Sequence, residues 1–268
     1  MLFKKIMVFC LSLFVSAGMV GMPAAAAPAA NAVFTPGDAN IGYAGRWDRS
    51  DASRYVSHWA RAYFKARFTG TTVKLKLGGP VNLGVSIDGA PETIYEYNDW
   101  YDVPKEDGGG TGVYDLTPAA PLAPGEHTLI VSTLDGYDKM YFKGLVLDGD
   151  AALLPAVMSE DSIEFIGDSI TNEYRSYAWK VSRELGAENT TDAFAGVPLC
   201  NESWGYGVDM GDLYFKLDRD GTTDWTFPPA REPDVIVINL GTNDRDTAAE
   251  TVLADYITFL RNVRLRNP

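Results

Sequence analysis

The chain has 268 residues, 46% of them hydrophobic and 22% charged, which is globular composition and too apolar for a disordered chain. Its 36 acidic and 23 basic residues give a formal charge of −13, and such acidity argues against nonspecific nucleic-acid binding, which needs a basic footprint. There are only two histidines, His58 and His127, so any chemistry that needs an imidazole has two candidates.

Residues 1–27 read as a secretory signal. Lys4 and Lys5 form a positive start, residues 6–20 an apolar stretch broken by Ser and Gly, and the segment from Pro23 to Ala27 offers several Ala-x-Ala cleavage sites. The apolar stretch is shorter than the roughly 20 residues a membrane span requires, so the expectation is cleavage and secretion without membrane attachment. Losing both lysines takes the charge from −13 to about −15. Cys10 leaves with the signal, and Cys200 remains without an intramolecular partner. Neutral or cationic substrates suit such a protein, and uncharged polysaccharide fits.

From Phe34 to Leu147 short alternating runs are separated by Gly, Pro and Asp turns. Residues 73–77 (VKLKL) alternate as a half-buried strand does, and residues 83–87, 93–97, 127–133 and 140–147 are further strand candidates. Many short strands with no long amphipathic helix predict an all-β sandwich of jelly-roll type over residues 28–150. Residues 151–160 read as a linker.

From Ser162 the pattern changes. Residues 162–166 form a short apolar strand, residues 176–185 a helix stopped by Gly186, and residues 235–240 a β-branched run of the kind buried on both faces of a parallel sheet. A last helix follows, with Thr247 and Glu250 as a capping box and Val252, Leu253, Tyr256, Leu260 and Val263 on one face. Residues 161–268 are therefore predicted to be an α/β domain.

The chemistry-bearing residues sit where two of these strands end. The first runs into Gly167-Asp168-Ser169-Ile170-Thr171. Ligands bind beyond the carboxyl ends of strands in open α/β sheets, and a serine there lies near the positive end of a helix. On this segment alone an ordinary helix N-cap is the better reading of the serine. The second strand ends in Asn239-Leu240-Gly241-Thr242-Asn243-Asp244, a second glycine turn displaying polar side chains at the same sheet edge. Alone, Asn243 and Asp244 read as a loop pair bonding its own backbone; together the two motifs point to a serine nucleophile with an amide donor beside it.

The segment from Ile163 to Thr171 resembles the nucleophile block of SGNH (GDSL-type) hydrolases, and that from Val237 to Asp244 their Gly-x-Asn-Asp block. Phe194-Ala195-Gly196-Val197 is similar to the block whose glycine N–H lines the oxyanion hole. The resemblance implies Ser169 as nucleophile, the Ser169 and Gly196 N–H groups and the Asn243 side chain as oxyanion donors, and Asp168 as a support for the turn. Gly45-Arg46-Trp47-Asp48, residues 66–73 (ARFTGTTV) and residues 143–148 (KGLVLD) resemble carbohydrate esterase family two. There a jelly-roll domain precedes a three-layer, flavodoxin-like SGNH domain. The implied activity is hydrolysis of O-acetyl esters on xylan or glucomannan, with no metal or cofactor. A lipid or aryl esterase, or an inactive carbohydrate-binding protein, are the alternatives.

The same resemblance implies a histidine general base, with an Asp three residues before it, in a loop after the last strand. No Asp-x-x-His follows Asn243, and the sequence closes at Leu265-Arg266-Asn267-Pro268 where another strand is due. A sequence that stops short of that region is preferred to a complete protein that has lost catalysis, because an open parallel edge would leave apolar β surface unpaired. The chain as given is expected to be inactive or severely impaired. Losing a catalytic histidine costs on the order of 10⁶ in turnover. His58 and His127 fall in the sandwich, read as polar surface or turn residues, and are not assigned as the base.

Four lesser features complete the reading. Residues 218–224 (DRDGTTD) fail as a calcium loop, because aligning Gly221 with the loop glycine places Lys216 at the first ligand position. Neither a zinc cluster nor a phosphate cradle is present in the sequence. Asn189-Thr190-Thr191 and Asn201-Glu202-Ser203 match the glycosylation triplet. Trp204 and Tyr206 suit stacking on a sugar ring or packing between domains; Trp204 is the candidate substrate contact.

Overall fold

A computed structural model describes residues 30–96, 112–137, 139–200, 208–228 and 232–268. The proposed signal, Trp204, Tyr206, the Asn201 triplet and Gly108 to Thr111 lie outside the described residues. No described helix is long and apolar enough to cross a membrane.

The first half of the chain forms two antiparallel sheets. One places β1 (Ala32–Phe34), β10 (Met140–Leu147), β5 (Val73–Leu77) and β8 (Gly112–Asp115) in that order, with β3 (Tyr55–Ser57) also on β10. The other runs β11 (Leu153–Leu154), β4 (Tyr63–Gly70), β9 (Gly125–Thr133), β6 (Leu83–Ile87), β7 (Thr93–Tyr95), with β2 (Gly42–Ala44) on β4. The period-2 pattern explains their faces. Val73, Leu75 and Leu77 are buried between outward Lys74 and Lys76, and Phe64, Ala66 and Phe68 face them from β4. Phe64 and Phe142 stack across the core with centroids 4.2 Å apart. Each such side chain contributes roughly 1.5–3 kcal/mol through burial.

Two expectations change here. The segment at 151–160 is not a bare connection, because Leu153 and Leu154 pair with Phe68 and Arg67 and extend the second sheet. His127 is not a surface residue. It is buried, with Nδ1 2.7 Å from Asp88 Oδ2 and Nε2 2.7 Å from the Ala123 carbonyl.

The second half holds a three-stranded parallel sheet in the order β13 (Glu188–Ala193), β12 (Ser162–Gly167), β14 (Val235–Asn239). Both faces of β12 are covered. Ile163 and Phe165 pack on Ala178 of α2 (Tyr177–Leu185), and Ile166 packs with Phe259 and Val263 of α4 (Ala249–Arg266). Ser176 occupies the N-cap position of α2, and Gly186 closes it in the left-handed conformation at φ 69°.

Three readings of this half are corrected. The run at 235–240 is an edge strand and only half-buried, with Val235 51% exposed, because β12 is its sole neighbour among the described residues. The last helix starts at Ala249 with Ala248 at the N-cap, so Thr247 sits one residue too early for a capping box. Its packed face is Val252, Tyr256, Phe259 and Val263, whereas Leu253 and Leu260 are exposed. β13 escaped prediction altogether, because its sequence, ENTTDA, is polar.

Polar contacts join the two halves. Arg46, in the turn after β2, is fully buried and donates to Asp192 Oδ2 (2.5 Å) on β13 and to the carbonyls of Tyr214 (2.5 Å) and Lys216 (2.7 Å). Its guanidinium lies 5.0 Å from the Tyr214 ring centre and 5.3 Å from that of Trp59. Glu188, at the start of β13, accepts from Tyr63 Oη and Lys65 Nζ of β4. Arg61, also buried, donates to Glu92 at 2.7 and 3.0 Å and to the Tyr174 carbonyl at 2.5 Å, in the loop before α2. Burying these charges is tolerable only because each is paired.

Candidate active site

The three parallel strands finish on one row. Gly167 of β12 is in register with Ala193 of β13 and with Asn239 of β14. The loops leaving that row carry Ser169, Gly196 and Asn243, respectively two, three and four residues beyond it. Residues far apart in sequence thereby reach one sheet edge. The Phe194 N–H donates to the Gly167 carbonyl at 3.3 Å and ties the first two loops together.

Gly167 makes the first turn possible. A Cβ there would lie 2.6 Å from Thr171 Cβ and 3.1 Å from the Asn239 carbonyl oxygen, so any side chain would push the loop off the sheet. The helix that follows, α1 (Ser169–Asn172), has Asp168 at its N-cap, where Oδ1 accepts from the Ile170 N–H at 3.0 Å. Asp168, not Ser169, therefore does the capping. The Ser169 side chain is half-buried and makes no hydrogen bond among the described residues. Asp168 is fully buried and its Oδ2 has no partner among the described residues.

The second loop turns through Gly196 at φ 83°, a left-handed conformation that suits glycine. The Val197 N–H closes this turn on the Phe194 carbonyl at 3.2 Å. The N–H groups of Ser169 and Gly196 make no hydrogen bond among the described residues.

The third loop reaches across to the second. Asn243 Nδ2 donates to the Val197 carbonyl at 2.9 Å, one residue past Gly196, which leaves its other amide hydrogen available. Asp244, buried, accepts from the N–H groups of Leu199 (2.9 and 3.0 Å) and Cys200 (2.8 Å). The Asn-Asp pair thus bonds backbone more than forty residues away rather than its own loop. In the sequence Asp244 offers only the reading of a loop residue closing the Gly-x-Asn-Asp block, with no role assigned to its side chain. Burial and the nearby carboxylates of Asp255 and Asp244 push the Cys200 thiol up to about 12, so it stays protonated at neutral pH.

The remaining candidates fall elsewhere. Asn189 is buried in β13 with its amide on the Ala178 carbonyl and Ser182, so the folded chain offers no access for glycosylation there. Asp218 accepts from Thr222 through both its backbone and hydroxyl groups and forms an acidic turn. No group of three or more potential metal ligands occurs among the described residues. His58 lies beside Lys139, Asp218, Asp220 and Arg219, and burial and Lys139 depress its pKa to about 4. Neither histidine bonds to Ser169 among the described residues.

Residues 43–156 match the family model for the carbohydrate esterase 2 N-terminal domain. The chain is 30% identical over 244 residues to the cellulase/esterase CelE of Acetivibrio thermocellus, covering 80% of this chain and 28% of that protein. It is 28% identical to an acetylxylan esterase / glucomannan deacetylase of Cellvibrio japonicus, covering 80% of this chain and 66% of that one. It thus spans less than two thirds of the length of either relative. Among solved structures, a family two carbohydrate esterase from Clostridium thermocellum in complex with cellohexaose superposes with a TM-score of 0.71 at 28% identity, over 85% of this chain and 74% of that one. With this fold, this N-terminal match and these esterase relatives, the chain is a relative of carbohydrate esterase family 2.

Proposed function

We propose that the chain is a secreted serine esterase that removes O-acetyl groups from plant polysaccharide, xylan or glucomannan, at the edge built by Ser169, Gly196 and Asn243. In this reading residues 28–150 are a jelly-roll domain and residues 161–268 an SGNH-type domain. The observation that carries it is the release of Ser169 and Asn243 from local duties. Asp168 takes the N-cap, and Asn243 bridges to the Gly196 loop. The substrate class comes from the Cellvibrio relative, whose name records xylan and glucomannan deacetylation.

The chemistry follows from the donors. Ser169 Oγ attacks the acetyl carbonyl carbon and the carbonyl electron pair moves onto oxygen. That oxyanion receives the Ser169 and Gly196 N–H groups and the second amide hydrogen of Asn243. Each preorganised donor is worth roughly 10²–10³ in rate. Collapse expels the sugar hydroxyl, leaves an acetyl-serine, and water then releases acetate. No resident metal or cofactor is invoked.

The serine proton needs an acceptor, and neither histidine stands beside it. Added imidazole is therefore expected to raise hydrolysis of 4-nitrophenyl acetate above the imidazole-only rate, with Ser169→Ala abolishing the increment. An increment that survives Ser169→Ala would overturn the assignment. The absence of a histidine bonded to Ser169 among the described residues favours a second reading, binding of polysaccharide without turnover. Under it, the protein retains oligosaccharide, and Ser169→Ala changes no measured property.

A further inference from the structure

The loop joining β9 to β10 belongs to the antiparallel half, yet it is fastened to the candidate site. The Gly136 N–H donates to Asn172 Oδ1, at the end of the Ser169 helix, at 2.7 Å. Arg219 Nη1 donates to the Gly136 carbonyl, and the Tyr137 N–H closes on Asp135 Oδ1 at 2.8 Å. A Cβ at Gly136 would lie 2.5 Å from Asn172 Oδ1, so a side chain there would displace the very acceptor that holds the loop.

This anchoring presents an aromatic ring to solvent. Tyr137 is 57% exposed, its ring centre 5.4 Å from that of Phe194, two residues before Gly196. The Arg219 guanidinium lies 5.6 Å from the Tyr137 ring centre and 5.4 Å from that of Phe194. Core packing does not require an exposed tyrosine on a loop pinned this firmly. Its position between the ends of the first two site loops gives it another use.

We propose that Tyr137, flanked by Phe194 and Arg219, is a sugar-binding ledge on which a pyranose ring of the polysaccharide main chain stacks while its ester faces Ser169. An exposed ring face suits the apolar C–H face of a sugar, and the remaining guanidinium N–H groups suit its hydroxyls. The surrounding charge favours a neutral sugar. Asp135 accepts from the Tyr137 N–H, and Lys139 lies 4.0 Å from Asp220, so the cations near the loop have carboxylates beside them. The ledge would make the substrate site a joint product of both halves of the chain. The proposal rests on the reading of Ser169 as facing a polysaccharide ester.

The test is calorimetric titration of the protein with xylohexaose and mannohexaose. Tyr137→Ala is expected to weaken binding about tenfold, and Tyr137→Phe to stay within about twofold, because the ring face and not the hydroxyl does the work. Matching thermal melts confirm that both variants fold. Equal binding by Tyr137→Ala and wild type, or no binding of either sugar by wild type, would overturn the ledge. The imidazole-stimulated cleavage of 4-nitrophenyl acetate, which carries no sugar, separates the two readings. Its absence beside an intact Tyr137 effect sinks the esterase and leaves only the sugar contact of the ledge, and the reverse result sinks the ledge alone.

Discussion

The interior of the antiparallel half and the junction between the two halves are equally dry but chemically opposite. The first is filled by Phe64, Phe68, Leu75, Leu77, Leu129, Phe142 and Leu145. The second buries Arg46, Arg61, Glu164, Glu188 and Asp192. Apolar packing is non-directional and tolerates repacking, whereas buried charges fix one arrangement or cost heavily. The parallel sheet that carries Ser169 is therefore positioned by a few obligatory polar contacts.

The largest expected effect comes from breaking one of these. Arg46→Ala leaves Asp192 buried without its cation and is expected to cost about 3–5 kcal/mol in urea unfolding. Replacing Arg46 and Asp192 together by Met and Asn is expected to recover much of that loss. If the double variant is no better than the single one, the pair is not what makes Arg46 matter. A core deletion comes next. Leu75→Ala is expected to cost about 3 kcal/mol, through lost burial and a cavity between the sheets, with no partner substitution able to restore it.

This contrast also decides what was legible in the sequence. Val73 to Leu77 announces itself by alternation, and the strands at 83–87 and 140–147 are observed with the same bounds. β13 was invisible because its sequence is polar and its buried carboxylates, Glu188 and Asp192, find their partners Tyr63, Lys65 and Arg46 more than a hundred residues away. The exposed position of Leu253 and Leu260 was equally hidden, since periodicity gives an apolar stripe but not which part of it finds a neighbour. The strand-end turns that carry Ser169 and Asn243 were legible because glycine at the end of an apolar run leaves a local signature. The partners of Asp244 and Tyr137 were not legible, because they depend on which loops the fold brings together.

A pH titration probes the junction more gently. Glu164 is buried near Asp192, 3.7 Å from Arg46, and accepts from Tyr214 Oη at 2.9 Å. Burial first, then the Asp192 charge, pushes its carboxyl from 4.5 up to about 8. A raised carboxyl keeps its proton in the folded chain after the unfolded chain has lost it. Its stabilising contribution is complete below pH 4.5 and is lost as pH rises towards 8. Between pH 5 and 8 the wild type is expected to lose stability that Glu164→Gln keeps, read as a steeper fall of its urea midpoint with pH. Parallel curves for the two proteins would show that Glu164 is ionised in both states.

The smallest expected effect, carried by His127, separates the two halves most cleanly. Burial works to lower its pKa, but the hydrogen bonds to Asp88 and to the Ala123 carbonyl outweigh it and hold the value above 6.5. The stabilisation is present below pH 6.5 and fades as pH rises through the folded value. Asp88→Asn is expected to lower the His127 pKa in an NMR titration. Ser169→Ala is expected to leave that pKa unchanged, because both ring nitrogens are engaged within the antiparallel half. A His127 titration that shifts with Ser169→Ala would couple this histidine to the candidate site. It would also reopen the question of which imidazole takes the serine proton, because a ring nitrogen that donates its N–H to Asp88 or to a carbonyl has no lone pair to offer until it gives up that proton.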